Sequence, residues 1–354
     1  MLEVSFQKSL GDFTLNSSFK LEKGILGILG PSGCGKSMTL KCIAGLTSPD
    51  NGYIKLKGKT LFSSDSKVNI PPRKRNIGYV FQNYALFPHL TVKQNISYGI
   101  SYLKKSLRDE KTLDMIKRMQ LTGLENHYPS ELSGGQQQRT ALARTLITEP
   151  DLLMLDEPFS ALDSHIKYLL ERELIDIIGN NFNGVVLLVT HNIEEAYRIC
   201  DNIMILNKGE NLQIGTKEEV ISKPLSTTAA RITGCKNFLD ATILEEDDDY
   251  YILKSNELVF KAVKTASPSS KQMIAGIRAH YISLFNEECN KENTFECDVI
   301  EKIEGVFSNT ILVNCFGCIL QIEVSKSSLS DITICDNKKL KIYIPPNQVF
   351  LMKK

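Results

Sequence analysis

Three short apolar runs punctuate the first half of the chain: Gly24-Ile25-Leu26-Gly27-Ile28-Leu29, Leu152-Leu153-Met154-Leu155 and Val185-Val186-Leu187-Leu188-Val189. None alternates with polar residues, so each reads as a strand buried on both faces. Between them the spacing turns helical. Met38 begins one helix through Ala44. A second follows Ser133-Gly134-Gly135 and carries Ala141, Leu142, Ala143, Leu146 and Ile147, and a third lies around 164–178. Residues 91–127 also carry helical spacing with charged faces, as at Thr112, Ile116 and Met119, within an expected helical subdomain of about 83–150. Apolar strands alternating with helices predict an α/β fold, a mainly parallel sheet covered on both faces.

Alternating patterns flank this plan. Leu2-Glu3-Val4-Ser5-Phe6, Phe13-Thr14-Leu15, Phe19-Lys20-Leu21 and Tyr53-Ile54-Lys55-Leu56, the last entered through an Asn51-Gly52 turn, predict antiparallel edge strands of the same sheet. From about residue 236 the chain changes character. Short alternating runs recur at 251–253, 258–260, 273–278, 310–313, 318–322 and 340–344. They predict a small β-barrel of the oligomer-binding type, so the expected domains are 1–235 and 236–354. A length of 354 residues also favours two cores. The acidic run Glu245-Glu246-Asp247-Asp248-Asp249 is expected at a solvated hairpin tip.

Composition narrows the partners. A net charge of +1 gives no reason to expect nucleic acid or an anionic membrane as the main partner. Nine cysteines form no disulfide framework over so long a chain, which fits a reducing cytoplasm. Cys315 and Cys318 form a CxxC without a second pair at metal spacing, so a hairpin is expected there rather than zinc. The N-terminus alternates like a strand rather than like a signal peptide, and no apolar run reaches the roughly 18 residues of a membrane span.

The candidate chemistry begins where the first apolar run ends. Gly30-Pro31-Ser32-Gly33-Cys34-Gly35-Lys36-Ser37 fits a Gly, four residues, then Gly-Lys-Ser, and Met38 continues into the helix. Strand, Gly-rich turn and helix N-terminus aim several backbone N–H groups at one point, where a triphosphate can sit. Lys36 supplies a charge to the outer phosphates and Ser37 a hydroxyl to Mg²⁺. Asp156 ends the second apolar run, placed to reach that metal, and Glu157 beside it is the candidate base for an attacking water. The third run ends at Thr190-His191. Candidate residues thus cluster where strands end, the usual place for ligands on such sheets.

Between these motifs, Leu132-Ser133-Gly134-Gly135-Gln136-Gln137-Gln138-Arg139 opens a helix with flexible glycines, a second place where backbone N–H groups and a hydroxyl can meet an anion. This stretch resembles the signature of ATP-binding cassette (ABC) ATPases. The resemblance implies a head-to-tail homodimer in which Ser133, Gly134, Gly135 and Gln136 close over the γ-phosphate held by the partner's loop. It implies that Gln82 contacts Mg²⁺ and water, that Asp163 in Ser160-Ala161-Leu162-Asp163 belongs to the D-loop, and that His191 senses the γ-phosphate. Residues 84–89, Tyr84-Ala85-Leu86-Phe87-Pro88-His89, resemble the surface that receives an integral-membrane permease. Two departures stand out. Asn192 replaces an aspartate, and the position of the adenine-stacking aromatic falls near Leu10, with Phe6 and Phe13 the closest aromatics.

The segment from Ile274 onward and the compact N-terminus resemble importer ATPases of the molybdate group. ATP and Mg²⁺ are then the implied cofactors. A permease and a separate substrate-binding protein are the implied partners, the location is the cytoplasmic face of a membrane, and the C-terminal domain is an expected oxyanion sensor. Sulfate or thiosulfate ranks second, with polyamine, sugar or iron behind. The competing classes are a soluble ABC ATPase and an oxyanion-binding regulator without ATPase activity.

Overall fold

The computed structural model describes residues 1–160, 164–182, 184–264, 270–284, 292–326 and 339–353, which divide into two units, Met1–Lys217 and Glu218–Lys354. In the first unit the strands are β1 Leu2–Leu10, β2 Phe13–Leu21, β3 Gly24–Leu29, β4 Asn51–Leu56, β5 Lys59–Ser63, β6 Val68–Asn69, β7 Ile77–Val80, β8 Leu152–Asp156, β9 Val185–Thr190, β10 Asn202–Asn207 and β11 Glu210–Thr216. Among the described residues they form one 11-stranded sheet in the order β6-β5-β4-β1-β2-β11-β10-β3-β9-β8-β7. Strands β10, β3, β9, β8 and β7 run parallel, and β1, β2, β4, β5 and β6 pair antiparallel at the other side.

The apolar runs divide their residues with a period of two. Leu152 and Met154 of β8, with Val185, Leu187 and Val189 of β9, enter the core under α1 Lys36–Ala44. Leu153, Leu155, Val186 and Leu188 enter the opposite core, shared with α2 Val92–Ser97, α3 Lys105–Arg118, α4 Gly134–Leu146 and α5 Ser164–Asn181. Strands buried on both faces need no polar alternation, which is why these runs have none. Helix α6, Ile193–Ile199, follows β9.

Arg75 ends the basic segment after Pro71-Pro72 and is only 2% exposed. Its guanidinium donates to the Ile43 carbonyl (2.7 Å) and the Cys42 carbonyl (3.1 Å) at the C-terminus of α1, and to Ile70 O and Asn69 Oδ1. A cation there completes orphan carbonyls and complements the helix dipole. Arg75→Ala is expected to lower unfolding free energy by about 3 kcal/mol, read as a shift of the urea midpoint without a change of slope.

The second unit starts earlier than residue 236. Helices α7 Lys217–Ser222, at the division, and α8 Thr227–Ile232 lead into it because Arg278, 4% exposed, donates to Ile221 O (2.7 Å) and to both the carbonyl and hydroxyl oxygens of Thr233. The strands are β12 Asn237–Glu246, β13 Tyr250–Ser255, β14 Leu258–Val263, β15 Gln272–Ile277, β16 Ser283–Leu284, β17 Thr294–Glu304, β18 Ser308–Cys315, β19 Cys318–Ser325, β20 Lys339–Tyr343 and β21 Val349–Lys353. The expected barrel takes the form of two five-stranded antiparallel sheets, β14-β13-β12-β15-β21 and β16-β20-β17-β18-β19, around one core. Buried Asn237 joins them, donating to Gln321 O (2.8 Å) and accepting from Gln321 N (2.7 Å). The acidic run ends β12, and Asp247 Oδ1 accepts from Asp249 N and Tyr250 N in the turn. Cys315 and Cys318 face each other across a hairpin whose turn residues, Phe316 and Gly317, both have positive φ (51° and 81°).

Candidate functional site

The loop after β3 is shaped by close backbone approach. A Cβ on Gly30 would lie 2.1 Å from the Leu206 carbonyl oxygen, and Gly35, the residue before α1, has φ 111°. Lys36 follows at the start of α1, 5% exposed, and its Nζ donates to Gly30 O (2.8 Å) and Pro31 O (3.1 Å). The ammonium is thus desolvated and held by the loop that curls round it. Cys34 is buried in the same loop, and burial pushes its thiol pKa up despite the nearby Lys36 charge.

Strand order brings the acidic residues to this loop. Asp156, 7% exposed at the end of β8, accepts from Ser37 Oγ at Oδ1 (2.8 Å) and from Tyr79 OH at Oδ2 (2.8 Å). Burial, then the Asp156 charge, pushes the Tyr79 phenol up, so it stays a donor. Glu157 adopts φ 47°, and its N–H donates to Val189 O (3.0 Å). That turn aims its carboxylate back into the site, with Oε1 3.9 Å from Lys36 Nζ and Oε2 3.4 Å from His191 Nδ1. Lys36, Ser37, Asp156, Glu157 and His191 are therefore gathered at one end of the parallel strands.

The other sequence-derived residues are placed differently. Gln82 Nε2 donates to Ser160 Oγ (3.0 Å), which donates to Glu157 O (3.0 Å), so Gln82 borders the site through Ser160. Asp163 lies outside the described residues. Ser133 caps α4, with Gln136 N donating to its Oγ (3.3 Å) and Ser133 N donating to Gln136 Oε1 (2.8 Å). Among the described residues no hydrogen bond or ion pair joins Ser133, Gly134, Gly135 or Gln136 to the loop at 30–37.

Two departures find physical explanations. Asn192 is the N-cap of α6, accepting from Glu194 N (2.8 Å) and Glu195 N (3.2 Å), a task that Asn and Asp perform alike. Leu10 is exposed, whereas the Phe13 ring borders the phosphate loop: a Cβ on Gly35 would lie 3.3 Å from Phe13 Cζ. Within 84–89, Tyr84 is not surface. It is buried, with its hydroxyl donating to Pro158 O (3.3 Å), while Arg144 donates to Tyr84 O (2.8 Å) and Ala85 O (2.7 Å) and covers the Phe87 ring. Pro88 and His89 remain exposed.

Sequence reasoning missed the role of Tyr79. Its strand was visible, but nothing in the spacing shows that β7 lies beside β8 with Tyr79 opposite Met154, two residues before Asp156.

A strand, a phosphate-sized loop, a buried lysine and a hydroxyl–carboxylate pair define a nucleotide-binding P-loop ATPase domain. Residues 15–160 match the ABC transporter family. The chain is 37% identical over 304 residues to a spermidine/putrescine import ATP-binding protein of Thermotoga maritima, covering 83% of this chain and 80% of that protein. It is 36% identical over 340 residues to an Fe(3+) ions import ATP-binding protein of Haemophilus influenzae, covering 94% and 91%. It is 36% identical over 350 residues to a molybdate/tungstate import ATP-binding protein of Pyrococcus horikoshii, covering 96% of each. Among solved structures, a dimeric ATP-binding cassette in a post-hydrolysis state with ADP and phosphate aligns with TM-score 0.51 and 28% identity, over 61% of this chain and 99% of that one. The chain belongs to the ABC transporter family, as the ATP-binding subunit of an importer, and it is an ATPase.

Proposed function

We propose that this chain energises inward transport of an oxyanion, with molybdate or tungstate first and sulfate or thiosulfate second. The single observation that carries this ranking is similarity to the molybdate/tungstate import protein along 96% of both chains, second unit included. A sulfate/thiosulfate import protein matches over only 66% of the chain. The direct Leu10 to Phe13 turn between β1 and β2 supports the same reading, because it reproduces the compact N-terminus that resembles the molybdate group. Iron and polyamine import rank behind.

In this reading Ser37, Asp156 and Gln82 hold Mg²⁺, for which an all-oxygen set is chemically suited. The metal supplies neutralisation of charge on the β- and γ-phosphates. Lys36 leaves the Gly30 and Pro31 carbonyls for the phosphates, Glu157 takes the proton of the attacking water, and His191 contacts the γ-phosphate while holding Glu157 in place. Ser133, Gly134, Gly135 and Gln136 reach the γ-phosphate of a second copy, joined by that copy's Asp163 region, so a head-to-tail homodimer contains two sites. The domain works at the cytoplasmic face of a membrane. Phe87, Pro88 and His89 receive the permease, a separate binding protein delivers the anion, and the second unit senses cytoplasmic oxyanion.

The test is ATP turnover by this chain reconstituted with its permease and binding protein in lipid vesicles. Turnover should rise when the binding protein is loaded with molybdate or tungstate and not with sulfate, Fe³⁺ or spermidine. Stimulation by one of the latter alone would replace the proposed substrate.

A further inference from the structure

The Asp156 carboxylate is bracketed by two hydroxyls, one on each oxygen. Ser37 Oγ occupies Oδ1 and Tyr79 OH occupies Oδ2, both at 2.8 Å. The two donors have different fates in the reading above, on which this inference rests. Ser37 is itself assigned to the metal, so its hydroxyl turns away from the carboxylate when metal binds. Tyr79 has no such second task, and its bond to Oδ2 is the one that persists.

We propose that Tyr79 is a positioning residue of the metal site, its hydroxyl fixing the Asp156 carboxylate so that Oδ1 faces the nucleotide-bound metal. The backbone supports that role. Strands β7 and β8 are parallel, Tyr79 pairs with Met154, and the next residue of β8 on the same face is Asp156. The hydroxyl therefore arrives from a neighbouring strand and not from a mobile loop. Its ring is clamped as well, stacked on Phe81 with centroids 4.3 Å apart and planes 23° apart. Phe81 immediately precedes Gln82. One side chain thus ties the metal carboxylate to the strand end from which the Gln82 segment departs, and movement of that segment changes the orientation of Asp156. A charge-assisted hydrogen bond on a nearly buried carboxylate is the strong kind, and partners of this type set metal affinity without touching the metal.

The test uses the full chain, a fluorescent ATP analogue and Mn²⁺ as the metal probe. Tyr79→Phe keeps the ring on Phe81 and removes only the hydroxyl. The half-saturating Mn²⁺ concentration, read by electron paramagnetic resonance in the presence of nucleotide, should rise about 10-fold. Nucleotide affinity in EDTA and the melting temperature should stay at wild-type values. Asp156→Asn in the same titration separates the two levels of the argument. If it weakens Mn²⁺ and Tyr79→Phe does not, the positioning role is overturned while the metal site stands. If Asp156→Asn leaves Mn²⁺ binding intact, the metal assignment falls and the Tyr79 role with it. Equal loss of nucleotide binding with and without metal in Tyr79→Phe would make Tyr79 a structural prop, which also overturns the proposal.

Discussion

Glu157→Gln is expected to lower ATP turnover about 1,000-fold while leaving ATP binding intact. The carboxylate lies 3.9 Å from Lys36 Nζ and 3.4 Å from His191 Nδ1, beside the place where the γ-phosphate must sit. Glutamine has the same length and can hold the same φ 47° backbone, so the loop geometry survives. What disappears is the ability to accept a proton from water and a negative charge next to the triphosphate. The first change removes the base. The second removes repulsion, so the ATP-bound dimer should accumulate rather than merely turn over slowly. Single-turnover hydrolysis together with size-exclusion chromatography in ATP reads both effects. Wild-type turnover in this variant would remove Glu157 from the base position.

Lys36→Ala is expected to weaken ATP binding by about 100-fold, with a corresponding loss of turnover. The ammonium is 5% exposed and its contacts are two carbonyls of its own loop, Gly30 and Pro31, with Glu157 at the edge of reach. A buried cation satisfied chiefly by dipoles is poised for a polyanion, because exchanging carbonyls for phosphate oxygens gains a full charge–charge interaction in a low-dielectric site. Isothermal titration with ATP and with AMP distinguishes this from general loop damage. AMP binding should change little, since it lacks the phosphates that Lys36 meets.

Much of this arrangement could be read before any coordinates. The loop at 30–37 and the acidic pair at 156–157 are local patterns whose chemistry follows from adjacent residues. The buried strands were legible because β8 and β9 feed two cores in alternation and so carry no polar positions. The hairpin at Cys315 and Cys318 was legible for a similarly local reason. What stayed hidden depends on contacts between distant segments. The division between units falls at 217/218 and not 235/236 because Arg278 reaches back 57 residues to Ile221. Tyr84 stands in a surface-like stretch, yet its hydroxyl is drawn inward by Pro158. Tyr79 acquires its partner only from the order of strands in the sheet.

The central claim is that each catalytic site is completed by a second chain, and mixing two inactive variants tests it most directly. Lys36→Ala disables the phosphate loop but leaves Ser133, Gly134, Gly135 and Gln136 intact. Gly134→Asp does the reverse, putting a carboxylate where the γ-phosphate would meet α4, and an acidic residue in the first turn does not harm that helix. Each variant alone should be nearly inactive. Mixed in equal amounts, half the dimers pair unlike chains and contain one intact site, so ATP turnover should recover to about a quarter of wild type. Turnover that stays at the level of the separate variants would contradict a site shared between two chains.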